Sequence, residues 1–204
     1  MRLVVGLGNP GVDYAGTRHN VGWAALDVLA QKLGWIARAS EFNAVARTRF
    51  DGLMLDGTLA DAGEKILLLK PTTYMNDSGR SVQQASAFYQ IDVPGILVVL
   101  DDLALPCGRL RIRPGGSSGG HNGLKDVQRV LGTQDYPRLR IGIDAPPPRV
   151  PGKDYVLSRF TEAQQAVVNI ALDRAAAAIV MWAKEGIEAA MNAFNPDTVS
   201  DTND

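Results

Sequence analysis

Ile96-Leu97-Val98-Val99-Leu100-Asp101-Asp102 is the stretch on which the reading of this chain turns. Five consecutive apolar residues bounded by acids predict a short central strand buried on both faces, with Asp101 at its carboxyl end. Working outward, residues 3–7 read as another buried strand that ends in the turn Gly8-Asn9-Pro10-Gly11, and residues 66–69 as a third, closed by Pro71. Val21, Ala24, Ala25, Val28, Leu29 and Leu33 recur at helical spacing and Gly34 can end the helix they form. A second helix is expected over 78–89. Residues 44–50 and 53–59 read as a hairpin turning on Asp51-Gly52. Arg109-Leu110-Arg111-Ile112-Arg113 alternates at period two, which puts three arginines on one strand face. A glycine-rich loop, a helix over 124–131 and strands over 139–143 and 155–157 follow. Thr161 and Gln164 make a capping box for a long helix to residue 184, and Gly186 sets off a short helix over 187–193.

Strands interleaved with helices, plus a hairpin, predict an α/β fold: a single domain with a twisted mixed β-sheet flanked by helices on both faces. The domain is expected over 1–194, with 195–204 a disordered tail. In such sheets ligands gather beyond the carboxyl ends of the strands, where Asn9, residues 71–76 and Asp101 fall.

The 204 residues, 46% hydrophobic and 21% charged, suit one globular core. No signal-peptide pattern or membrane-length apolar run is read, and a single cysteine, Cys107, fits a reducing compartment; the cytoplasm is the expected location. The formal charge of −1 hides an asymmetry, because residues 109–159 carry +6 and the rest −7. Such a cluster can attract phosphate although the whole chain is nearly neutral.

Gly6-Leu7-Gly8-Asn9-Pro10-Gly11 satisfies G-x-G-x-x-G, but Pro10 and a polar loop stand where a dinucleotide fingerprint needs a helix. The glycines are expected to form a turn that presents Asn9. Gly116-Ser117-Ser118-Gly119-Gly120 satisfies G-x-S-x-G, yet the only histidine beyond Ser118 is His121, three residues on, so a serine esterase is a secondary reading. Two histidines far apart in sequence are a poor metal signature, so neither metal nor cofactor is expected. Both histidines, in Arg18-His19-Asn20 and Gly120-His121-Asn122, precede an asparagine in a polar loop. A histidine oriented by a carboxylate suits activation of water, with His19 the expected base and Asp101 or the adjacent Asp102 its partner. Asparagines such as Asn9, Asn76 and Asn122 can hydrogen-bond a developing oxyanion or a sugar hydroxyl without adding charge.

Together these segments resemble the bacterial peptidyl-tRNA hydrolase family. The resemblance runs through Gly6–Gly11, Tyr14, Thr17-Arg18-His19-Asn20-Val21-Gly22, Lys70-Pro71-Thr72-Thr73-Tyr74-Met75-Asn76-Asp77-Ser78-Gly79, Asp101-Asp102-Leu103, Gly119-Gly120-His121-Asn122-Gly123-Leu124-Lys125 and Arg138–Ile143. It implies hydrolysis of the ester joining a peptide to the 3′-terminal ribose of tRNA, without cofactor or metal, by a monomer with no membrane partner. Carried over, His19 is the general base, Asp101 its orienting carboxylate, and Asn9 a further catalytic group. Tyr14, Tyr74, Met75, Asn76, His121 and Asn122 fall at substrate-binding positions, and Arg113 and Arg140 at positions that grip the tRNA 5′-phosphate. Segments 103–108 and 144–154 correspond to the family's gating segments. A non-catalytic RNA-binding relative of the same fold is the competing reading.

Overall fold

The computed structural model describes residues 1–60 and 62–196. Seven strands form one sheet among the described residues: β1 (Arg2–Gly6), β2 (Arg47–Arg49), β3 (Gly52–Thr58), β4 (Lys65–Pro71), β5 (Ile96–Asp102), β6 (Leu110–Arg113) and β7 (Arg138–Gly142), in the order β2-β3-β4-β1-β5-β7-β6. The four inner strands β4, β1, β5 and β7 are parallel, and β2, β3 and β6 add antiparallel edges. The mixed sheet expected from the sequence is therefore present.

Period-two alternation divides each inner strand between two cores. Val4, Leu97, Val99, Leu139 and Ile141 face α1 (Val21–Lys32) and α6 (Glu162–Glu185), while Val5, Val98 and Leu100 face α3 (Ser78–Tyr89) and α4 (Asn122–Leu131). The chain leaves β1 through α1 on one face and turns toward β4; it leaves β5 through β6 and α4 on the other face and turns toward β7. Adjacent strands whose connections diverge open a crevice beyond their carboxyl ends, so the boundary between β1 and β5 is where a ligand site belongs.

A glycine pair sets how closely α1 approaches that crevice. A Cβ on Gly22 would lie 2.5 Å from Val99 O and 2.6 Å from Leu7 O, and one on Gly6 would lie 2.4 Å from Gly22 O. The first turn of α1 thus rests directly on the ends of β1 and β5. Gly6, within the strand expected over 3–7, is the last residue of β1 and is needed for space.

Three expectations are corrected. Residues 44–50 are split between α2 (Phe42–Val45) and β2, and the hairpin turns on Phe50-Asp51, at φ 57° and 50°, one position earlier than expected. Gly52 belongs to β3, where a Cβ would lie 2.8 Å from Lys70 O. Residues 155–157 do not form a strand: Gly152–Val156 is the short helix α5, because the Tyr155 N–H donates to Pro151 O and its hydroxyl to Ile143 O inside the core. A three-residue apolar run is too short to show its period. Finally, α6 has the length and apolar composition of a membrane span by those criteria alone, contrary to the expectation of no such run; its Val168, Leu172, Ile179 and Trp182 pack on the sheet. The capping box at Thr161 and Gln164 forms as expected, and α7 (Ile187–Phe194) follows Gly186.

Asn195, where a frayed tail was expected to begin, is pinned: its side chain accepts from Ile112 N–H and donates to Ile112 O at the open edge of β6. Residues 197–204 of that segment lie outside the described residues.

Gly22→Ala should destabilise the fold by about 1–3 kcal/mol, because the colliding atoms are backbone carbonyls that cannot rotate away. Urea unfolding of the variant beside the native chain reads this directly; an unchanged midpoint would count against the close approach.

Candidate active site

Asp101, the penultimate residue of β5, is almost wholly buried, and its Oδ1 accepts two hydrogen bonds, from His19 Nδ1 at 2.8 Å and from His121 Nε2 at 3.0 Å. Of the two adjacent acids, Asp101 is the one that reaches His19. Consecutive strand residues point to opposite faces, so Asp102 is turned away from His19. Its Oδ1 instead accepts from Ala104 N–H, and its Oδ2 lies 2.9 Å from Arg140 Nε in an ion pair whose N–H is not aimed at the oxygen.

A carboxylate can only accept, so the ring nitrogen facing it carries the proton in each histidine. His121 is then fully engaged: it is the N-cap of α4, and its Nδ1 accepts from Leu124 N–H at 3.4 Å. His19 differs. Its Nδ1–H is held by Asp101, and no described residue hydrogen-bonds its Nε2. Of two histidines that look alike in sequence, only His19 presents an unoccupied basic nitrogen. The rings tilt against each other with centroids 4.9 Å apart.

Burial opposes the charge on Asp101, but the positive potential and N–H donors of His121 and His19 outweigh it and hold the carboxyl well below the usual carboxylate range. A carboxylate with a depressed native pKa contributes stability above its unfolded value, about 3.9, and loses it as pH falls through the native value. The unfolding free-energy difference between the native chain and Asp101→Asn should therefore narrow as the pH is lowered below about 4. Urea titrations at neutral and acid pH check this, and a difference that widens toward acid would contradict it.

His19 lies in the 3₁₀ turn Arg18–Asn20. Such a helix has about three residues per turn, so consecutive side chains leave in three directions. Arg18 reaches back to the α5–α6 region, donating to Ser158 Oγ, Arg159 O and Gln164 Oε1 while its guanidinium stacks over Tyr155. Asn20 pairs with the backbone of Asn9. Sequence reasoning assigned no role to Arg18 or Asn20, because the direction of each side chain follows from the turn and its position over the sheet.

Asn9 is buried just past β1, and its Oδ1 accepts from Met75 N–H at 2.8 Å. Its amide nitrogen donates to no described residue, and Asn9 is not among the residues that line the cleft holding His19. Met75 is buried in the 3₁₀ turn after β4, and its sulfur lies where a Cβ on Gly123 would be. A cleft of about 400 Å³ joins His19, Asp101, Asp102, Ser118, His121, Asn122 and Arg140, with Leu103, Ala104, Gly152, Lys153 and Val156 along one side. The last five belong to or border segments 103–108 and 144–154, which are joined by Cys107 N–H donating to Asp144 Oδ1 and Asp144 N–H donating to Leu105 O.

Tyr74 and Asn76 are exposed beside this region along a second groove, with Thr72 and Arg129, and Tyr14 is half-buried in the 3₁₀ turn Val12–Tyr14. These three are not among the residues lining the histidine cleft. Ser118 lines it, but no hydrogen bond among the described residues joins its hydroxyl to either histidine.

His19, Asp101 and His121 bring their ligand atoms within 4.8 Å of one another, a cluster compact enough to ask whether it holds a cation. Zinc bonds of 2.0–2.2 Å would set ligand atoms about 3.3 Å apart. The observed contacts of 2.8 and 3.0 Å, both to one carboxylate oxygen, fit hydrogen bonds better.

On β6 and β7 the register pairs Arg111 with Arg140 and Arg113 with Arg138, so four arginines share one face. They are not equivalent. Arg138 is buried over Tyr136 and donates to Gly116 O, Ser117 O and Gln134 O, holding the glycine-rich loop. Arg140 is partly neutralised by Asp102, whereas Arg113 is exposed.

The comparisons with known proteins agree with this geometry. A family model described as Peptidyl-tRNA hydrolase matches residues 3–202. The chain belongs to the peptidyl-tRNA hydrolase family. A peptidyl-tRNA hydrolase of Symbiobacterium thermophilum is 50% identical over 95% of this chain and 98% of its own length, and one of Desulfitobacterium hafniense is 46% identical over 96% and 100%. A crystal structure of peptidyl-tRNA hydrolase from Acinetobacter baumannii superposes with a TM-score of 0.85 at 36% identity, over 96% of this chain and 94% of that one. The family's α/β fold is thus the fold of this chain throughout the described residues.

Proposed function

We propose that this chain hydrolyses the ester bond between peptide and tRNA in peptidyl-tRNA, releasing tRNA for reuse, with His19 as general base. The observation that carries this is the protonation pattern at Asp101: its carboxylate holds the His19 Nδ1–H and leaves Nε2 open to the cleft. Membership of the peptidyl-tRNA hydrolase family supplies the bond.

In this reading Nε2 takes a proton from water as the oxygen attacks the ester carbonyl. Asp101 stabilises the imidazolium that forms. Negative charge then develops on the former carbonyl oxygen, where the Asn9 amide and Asn122, the first residue of α4, can donate to it. Collapse of the tetrahedral intermediate breaks the carbon–oxygen bond to the ribose, and His19 returns the proton to the departing hydroxyl. His121 keeps Asp101 and the start of α4 in register. Met75 supports Asn9, while Tyr14, Tyr74 and Asn76 serve substrate farther from the reacting atoms. Neither metal nor organic cofactor is required.

The tRNA is held in this reading by the arginine face, with Arg113 meeting phosphate and Arg140 contributing from beside the cleft. Segments 103–108 and 144–154 border the cleft and would gate it as one unit, given the hydrogen bonds that join them. The protein would act as a cytoplasmic monomer.

His19→Ala should lower kcat for an N-blocked aminoacyl-tRNA by about 10²–10⁴-fold, and His121→Ala by clearly less, since neither nitrogen of His121 is open to act as base. Ser118→Ala should leave it nearly unchanged. Full activity in His19→Ala would remove the mechanism, and an inactive native chain would favour the RNA-binding reading. Arg113→Ala should raise KM for whole tRNA and flatten its salt dependence while sparing a minimal substrate that lacks the 5′-phosphate. Equal losses on both substrates would argue against a phosphate contact.

A further inference from the structure

Asn9 lies two residues after Leu7, whose N–H makes the last bond to β5 at Val99 O, so its own N–H and C=O have no strand partner although the residue is buried. Unpaired buried backbone groups are costly, and a flexible backbone there would let the Asn9 side chain wander. Asn20 closes both: its Oδ1 accepts from Asn9 N–H at 2.8 Å and its Nδ2 donates to Asn9 O at 2.9 Å. The side-chain amide takes the place of a neighbouring strand. Asn9 is thereby fixed from two sides, its backbone by Asn20 and its side-chain oxygen by Met75 N–H.

We infer that Asn20 is a positioning residue for the reaction, acting through Asn9 and setting where the Asn9 amide nitrogen stands relative to His19. Asn20 and His19 are adjacent in one 3₁₀ turn, so the bond that holds Asn9 is one peptide unit from the base. A shift of Asn20 moves the donor and the base against each other. The paired contact requires both a donor and an acceptor at this length of side chain. Aspartate keeps the shape but sets a carboxylate oxygen against the Asn9 carbonyl, and alanine removes both bonds. This inference rests on the reading of Asn9 as an oxyanion donor.

The test is a double-mutant cycle on kcat and KM with N-blocked aminoacyl-tRNA, using the native chain, Asn9→Ala, Asn20→Asp and the double variant, with Tm measured for each. Asn20→Asp is expected to lower kcat about 10- to 100-fold with little change in KM, as a small misplacement of a catalytic donor does. In the Asn9→Ala background the same substitution should cost nothing further, because the group it positions is gone. Should Asn20→Asp fail to fold, Asn20→Ser takes its place in the cycle. Independent, multiplicative losses, or Asn20→Asp turning over at the native rate while Asn9→Ala is impaired, overturn the role of Asn20 alone. Full activity in Asn9→Ala overturns instead the reading of Asn9 on which it stands.

Discussion

A buried carboxylate at the end of a central strand is costly unless its charge is met, and the site is organised around meeting that of Asp101. Two imidazole N–H groups converge on one of its oxygens, one from the loop after β1 and one from the N-cap of α4. The same contacts that satisfy the charge decide the tautomer of each ring. Because His121 also caps its helix, its second nitrogen is consumed; because His19 stands in a turn with no such duty, its second nitrogen remains available. The contacts that satisfy the buried charge are thus the same ones that leave one nitrogen of His19 open.

The position of that carboxylate depends on the sheet. The connections of β1 and β5 diverge to opposite faces, so their carboxyl ends bound a crevice, and Gly6 and Gly22 let the start of α1 sit against it. The Arg18–Asn20 turn precedes α1 directly and inherits its placement. Three successive side chains then join three elements: Arg18 the α5–α6 region, His19 the end of β5, Asn20 the end of β1. Arg18 also touches the network that reaches segment 144–154, since Gln164 accepts from it and donates to Asp144. The turn that carries His19 is thus connected by hydrogen bonds to the segments that border the cleft.

The arginine-rich stretch shows how much net charge can mislead. Its surplus of +6 is visible in the sequence, but the structure spends part of it internally. Arg138 holds loop carbonyls, Arg129 pairs with Asp126 and Arg140 with Asp102, while Arg113 on the same β6–β7 face stays exposed. Burial converts some surface-like residues into framework, and formal counting cannot see which.

The order of strands and helices, the ends of α3 and the capping box of α6 were legible in the sequence, because periodicity, turn residues and caps are local signals. So was the pairing of His19 with Asp101, which are in contact in the structure. What local signals could not carry was anything fixed by contact across the chain: the helix at 152–156, held by Tyr155 against Ile143 O; the one-residue displacement of the hairpin turn; the anchoring of Asn195 to the edge of β6. The sequence favoured Asp101 without separating it from the adjacent Asp102, and left Asn20 without a role. Strand alternation over a placed sheet separated the acids, and a backbone left unpaired where β1 ends gave Asn20 its partner. Residue chemistry determined which reaction the chain could perform, whereas the direction of each side chain, which only packing fixes, decided which of several like residues stand ready to perform it.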